Sequence, residues 1–288
     1  PESHFKQLYR VGAAGDNAYN VAFLPWNTHP ARSRGWYAAQ KANALANEGT
    51  LDSLYEQYPA TDEQALAPRT LDKRIPPAFL SACYEPTPPL AVRGAPALPG
   101  LTIYQEPQPG AAYVIGADPA EGNPTSDESA ATVLHAGTGE EVAALAGRYE
   151  VDTFGAYLRD LATYYRGASV LVERNNHGHA VLLWLRDNAR SVRVLRGADQ
   201  KPGWLTTRAA KAELYAEAAA AFRDGETTIH SFATLTQLQR IDGATLRAPP
   251  GGHDDRAMAY GLALLARGRR PPDVRRIVAA GGLYRRRR

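Results

Sequence analysis

The chain has 288 residues, 44% of them hydrophobic, which is enough for a real core in one or two domains. Its formal charge of +3 is small but uneven: residues 267–288 hold nine Arg and one Asp, a net +8, which leaves 3 − 8 = −5 for residues 1–266. A single cysteine, Cys83, excludes an intrachain disulfide framework and a cysteine zinc site and points to a reducing compartment, while no apolar run approaches the ~20 residues that span a bilayer.

The chain opens on Pro-Glu-Ser-His-Phe, with neither an initiator Met nor a charged-then-apolar leader. That reads as a fragment or processed product of a cytoplasmic protein. Residues 1–85 show one strand-like run, Tyr19 to Trp26, and helical patterns over Trp36–Ala46 and Leu51–Tyr58, too little for a complete domain. Residues 86–109 hold seven of the 21 prolines and read as a linker or strap.

From 110 to 268 the pattern is dense. Ala112–Asp118, Ala130–His135 and Glu141–Arg148 are three successive strands, separated by turn chemistry at Asn123-Pro124 and Gly137-Thr138-Gly139. Phe154, Tyr157, Leu158, Leu161 and Tyr165 then recur at helical spacing. Ser169–Glu173 is a short buried strand, His179–Asn188 a helix and Val192–Leu195 a further strand. A helix follows from Thr207 to Arg223, with Thr206 or Thr207 as its cap, and an Ala/Leu-rich helix from Asp254 to Ala266 closes the series. Residues 269–288 form a basic, Arg-rich tail whose composition suits a disordered, partner-seeking segment.

A three-strand meander followed by alternating strands and helices is an α/β order with a mixed sheet flanked by helices. It fits the ribonuclease H-like fold, with the first strand central and the strand after the first helix beside it. Asp118 and Glu173 then end adjacent parallel strands at the same end of the sheet.

Carboxylates gathered at one point repel one another unless a cation neutralises them. Asp118, Glu173 and the Asp254-Asp255 pair arrive from three remote segments, which is how a hard divalent-metal site for phosphodiester chemistry is built. Two ions are expected, with Asp118 bridging them, Glu173 on one and Asp254 or Asp255 on the other. Asp127 trails the first motif as an accessory acid. Each acid also has a plainer reading: Asp118 as a turn residue, Asp254 or Asp255 as a helix cap. His177, His179 and His253 offer a competing transition-metal set, in which His253 is best placed because it adjoins Asp254. Arg174, Arg208 and Lys211 lie near the motif ends, where cations could meet phosphate oxygens.

These motifs resemble the large terminase subunit of tailed bacteriophages, the nuclease-bearing DNA-packaging motor. The resemblance rests on Gly-Ala-Asp-Pro-Ala (Gly116 to Ala120) followed by Asp127, on Val-Glu-Arg-Asn-Asn-His-Gly (Val172 to Gly178) and on Gly-His-Asp-Asp (Gly252 to Asp255), over roughly residues 110–268. Leu24 to Pro30 and Tyr55 to Ala65 are similar to the end of the family's packaging ATPase domain, which makes residues 1–85 a remnant of the motor. No phosphate-loop sequence surrounds any of the five lysines. The resemblance implies Mg²⁺- or Mn²⁺-dependent cleavage of double-stranded DNA by Asp118, Glu173 and the Asp254/Asp255 pair. It also implies the capsid portal and small terminase subunit as partners, in the host cytoplasm and without a membrane. The alternatives are another ribonuclease H-like nuclease, such as a Holliday-junction resolvase or transposase core, and a non-catalytic module that docks on DNA or the portal.

Overall fold

The structure, a computed structural model, describes residues 4–48, 51–66, 73–123, 127–249 and 252–268. The basic tail expected over 269–288 lies outside the described residues, as do Pro124 of the expected turn and Gly251 before the last acidic motif. Five strands form one sheet: β1 (Leu101–Ile103), β2 (Tyr113–Asp118), β3 (Ser129–His135), β4 (Glu141–Gly147) and β5 (Ser169–Val172), in the order β1-β4-β3-β2-β5. Neighbours among the first four run antiparallel, and β5 joins β2 in parallel.

The central strands are apolar on both faces because helices cover both. Val114, Leu134 and Leu171 point to one layer, made by α5 (Pro77–Ala82), α8 (Arg208–Arg223), α9 (Phe232–Arg240) and α10 (Asp255–Gly268). Ile115, Val133, Val170 and Val172 point to the other, made by α6 (Val151–Tyr164) and α7 (Gly178–Asn188). Side chains alternate across a strand, so a run buried on both sides reads as continuous apolar sequence. Two helix starts are set by side-chain caps: Thr207 Oγ1 accepts from the Ala210 amide at 3.1 Å, and Ser231 Oγ from the Thr234 amide at 3.1 Å.

The mixed sheet flanked by helices agrees with the sequence reading, which did not, however, anticipate the helices His4–Ala13, Asp62–Leu66, Pro77–Ala82 and Phe232–Arg240 and differs in the following stretches. The stretch expected to be a linker over 86–109 contains β1, which pairs with β4 at Leu101↔Leu145. Residues 73–85 are not separate from the sheet domain: Ile75, Leu80 and Cys83 are buried in the same core cluster as α8 and α10. Val192–Leu195 is not a strand of its own but a bridge onto β5, with the Leu195 amide on the Val170 carbonyl at 2.8 Å. Tyr19–Trp26 forms no strand; a single 3₁₀ turn, Trp26–Thr28, succeeds it.

Upstream lie α1 (His4–Ala13), α2 (Arg34–Glu48), α3 (Asp52–Gln57) and α4 (Asp62–Leu66). Tyr37, Ala44 and Leu54 make a small cluster there, with Trp26 stacked on Tyr37 at 4.1 Å between ring centroids. Among the described residues, no helix is long and apolar enough to cross a membrane.

Candidate active site

Register places the first two acids. Ala117 of β2 pairs with Val172 of β5, and the Glu173 amide donates to the Ala117 carbonyl at 2.8 Å, so Asp118 and Glu173 leave the sheet abreast. Strand alternation sends both toward α10, on the same face as Val114 and Leu171. The chain then turns sharply, and α7 starts so close behind that a Cβ on Gly178 would lie 1.7 Å from the Glu173 carbonyl oxygen.

Burial pushes the Asp118 carboxyl well above the usual carboxylate range. A hydrogen bond with Glu173 and the charges of Glu173, Asp255 and Asp254 push it further the same way. Glu173 is oriented from its other side by the Thr206 hydroxyl, which donates to Oε1. Thr206 is itself held by Asn175, whose Oδ1 accepts from the Thr206 amide at 2.8 Å and whose Nδ2 donates to the Thr206 carbonyl at 2.9 Å.

The second pair enters from α10. Asp254 precedes the helix, its carbonyl accepting from the Met258 amide at 2.8 Å, and its carboxylate holds the Lys211 ammonium at 2.8 Å. Asp255 is buried, and its Oδ2 is sealed from solvent with no hydrogen-bond partner. Burial, then Asp127 and Asp254, raise its carboxyl to about 6. The Glu128 amide and His253 oppose the rise. His253 Nδ1 stands 2.9 Å from Asp127 Oδ1. These acids line one cleft of about 930 Å³.

Of the cations read from sequence, Arg208 lies exposed in this cleft. Lys211 is also there, but engaged with Asp254. Arg174 is a correction: strand alternation turns it to the face opposite Glu173, where it pairs with Asp199 beside α7. The expected His177–His179 pair is divided in the same way, His177 lining the cleft and His179 the groove on the α7 side.

The sequence reading missed the loop 242–247. Asp242 Oδ1 accepts from the Ala244 amide (3.1 Å), the Thr245 amide (2.7 Å) and the Thr245 hydroxyl (2.8 Å). This folds the loop so that Thr245, Leu246 and Arg247 line the cleft, with Leu246 at φ 58°. The Asp242-Gly243 dipeptide, a turn-forming pair, was the available signal.

A cation fits this arrangement. The donors are hard carboxylate oxygens, and the orphaned Oδ2 of Asp255 needs a positive partner that no described protein group supplies within hydrogen-bond distance.

No family model and no curated protein matches the sequence. Solved structures do. The large terminase nuclease from thermophilic phage G20c with bound magnesium superposes with a TM-score of 0.55 at 20% identity, covering 68% of this chain and 97% of that one. The fold is that of the terminase nuclease domains. The cobalt complex of the same nuclease gives 0.54 at 20% identity over the same shares, 68% and 97%. The Thermus phage P74-26 large terminase nuclease domain gives 0.50 at 20% identity, over 65% of this chain and 92% of that one. At this identity the likeness establishes the ribonuclease H-like architecture.

Proposed function

We propose that this chain is the nuclease of a phage large terminase, a divalent-metal-dependent endonuclease that cuts double-stranded DNA during genome packaging. The observation that carries the reading is the convergence of Asp118, Glu173, Asp254 and Asp255 on one cleft, with Asp255 Oδ2 buried and without a hydrogen-bond partner. The neighbours' bound magnesium and cobalt support a divalent cofactor, and Mg²⁺ or Mn²⁺ is our assignment. The partners on this reading are duplex DNA and, in the packaging machine, the capsid portal and small subunit, in the host cytoplasm. The reading assigns no ATPase activity to this chain, and residues 1–66 are taken as the end of the motor domain.

Asp118 and Glu173 would hold the cation from the sheet, and Asp254 and Asp255 from the start of α10. A bound pair of divalent ions would supply activation of water and neutralisation of charge at the attacked phosphate. Thr206 fixes the rotamer of Glu173, so that carboxylate does not have to reorganise. Lys211 balances the charge of Asp254, which keeps four acids in one cleft tolerable. Arg208 and Arg247, exposed on the cleft, are placed to meet phosphate oxygens and position the duplex without reading bases.

Supercoiled plasmid incubated with Mn²⁺ should be nicked and then linearised, EDTA should stop it, and Asp118→Asn should lower the rate at least about 1,000-fold, since each ~1.4 kcal/mol is tenfold. Binding without cutting would instead make the chain a docking module. Cleavage confined to four-way junctions would make it a resolvase.

A further inference from the structure

We propose that the groove between α7 and residues 192–205 is a docking surface for an acidic amphipathic helix of another protein. It lies on the α7 side of the sheet, behind the acidic cleft, and nothing in it requires the nuclease reading.

The groove, of about 940 Å³, is lined by the aliphatic side chains Leu182, Leu185, Val192 and Val194. Leu183 and Leu205 line it too, yet they are 44% and 45% exposed. Single exposed leucines are ordinary, but two that flank an aliphatic concavity extend it into one apolar patch, and such patches mark contact with another molecule. The groove is also firmly built. The Trp204 amide donates to the Val172 carbonyl at 2.8 Å and the Arg174 amide to the Trp204 carbonyl at 2.7 Å, which fixes the wall 202–205 along the end of β5. Gly203, at φ 76°, lets that wall press on α7: a Cβ there would stand 2.7 Å from Leu182 Cδ1.

Charge selects the occupant. Arg174, Arg186, Arg190 and Lys201 line the same groove. Two acids answer these four cations, Asp187 on Arg186 and Asp199 on Arg174, so Arg190 and Lys201, both exposed, are in excess. An apolar centre with a cationic rim is the complement of a segment that carries one apolar stripe with carboxylates beside it. Duplex DNA fits it poorly, since phosphates would engage the cations and leave the leucines in water. Along α7 the lining residues His179, Leu182, Leu183 and Arg186 share one face over about 10 Å, which accommodates about two turns of a partner helix. The chain's own acidic stretch, 51–66, with four acids and no Lys or Arg, is not that segment: its Leu54 is buried in a cluster with Tyr37 and Ala44.

The probe is a fluorescein-labelled synthetic helix with Leu at i, i+3, i+4 and i+7 and Glu between, titrated with the full chain and read by anisotropy. It should bind saturably, one per chain. Two control peptides, one with Lys for Glu and one with Ser for Leu, should bind at least tenfold more weakly. The second keeps every negative charge, and so separates this groove from attraction to the Arg-rich residues 269–288. Leu183→Glu and Arg190→Glu should each lower affinity for the first peptide at least tenfold, with melting temperatures unchanged because both positions are exposed. No binding of the first peptide, or binding that survives both substitutions, overturns the proposal. Weaker duplex binding by Arg190→Glu with peptide affinity intact also overturns it, and would make the groove a DNA surface.

Discussion

Gly116 of β2 lies directly on the backbone of Ala259 in α10: a Cβ added to it would stand 2.2 Å from the Ala259 carbonyl oxygen. Backbone therefore packs on backbone two residues before Asp118 and four after Asp255. This contact sets how deeply the start of α10 descends between the strand-borne acids.

Gly116→Ala should accordingly harm both stability and the site. The added methyl has rigid backbone on its far side, so α10 must lift, an overpacking change of about 1–3 kcal/mol. Urea denaturation should show that loss. DNA nicking measured below the melting transition should fall by more than the folded fraction explains. Wild-type nicking at reduced stability would show that the acids tolerate a displaced α10.

Thr206→Val removes the hydroxyl that orients Glu173 while keeping the side chain's volume. A hydrogen bond to a charged group contributes about 1.5–3 kcal/mol. If that orientation matters in the transition state, kcat should drop about tenfold or more, and Thr206→Ser should restore it. Equal rates in all three proteins would reduce Thr206 to a packing residue.

Glu141 supplies a pH dependence away from the cleft. It is fully buried at the start of β4, and Oε2 accepts from the His230 and Ser231 amides, each at 2.8 Å, just before α9. Burial raises its carboxyl from 4.5 to about 7, against the opposing pull of those two amides. A folded value above the unfolded one means the folded chain binds the proton more tightly. Glu141's contribution to stability is then fully present below pH 4.5 and lost as pH rises through about 7. Glu141→Gln keeps an acceptor for both amides and cannot ionise. Its urea midpoint should vary less between pH 5 and pH 8 than that of wild type. At pH 8 it should gain stability on the order of 3 kcal/mol. An unchanged pH slope would clear Glu141 of the effect.

Removal of the basic tail should be made after Gly268, because the Arg267 guanidinium donates to the carbonyls of Ala136, Gly137 and Glu226 at 2.9–3.1 Å. Residues 269–288 hold eight Arg and one Asp. Each phosphate contact they make adds about 0.9 to the salt slope of duplex binding. The truncated chain should bind DNA more weakly at low salt with a flatter slope, and cut at an unchanged rate on saturating DNA. Identical affinity and slope would assign the tail to a protein partner.

The sequence by itself determined the strands β2 to β5 and the acids that end them. Runs such as Val114–Ala117 and Val170–Val172 carry no polar side chain, and a carboxylate closing such a run is visible without a structure. The order of these runs then fixes which strands can be neighbours. Tertiary structure decided what no local period encodes. β1 is three residues inside a proline-rich stretch, a strand only because the edge of β4 offers it a ladder. Residues 73–85 lack a helical pattern long enough to read, yet Ile75 and Leu80 are buried in the core cluster that holds the inner faces of α8 and α9. Arg174 and Glu173 differ by one position, and strand alternation sends them to opposite faces. His253 meets Asp127 across 126 residues, and Lys211 meets Asp254 across 43. Such pairings arise from how the helices cross the sheet, a property of packed layers rather than of any stretch of chain.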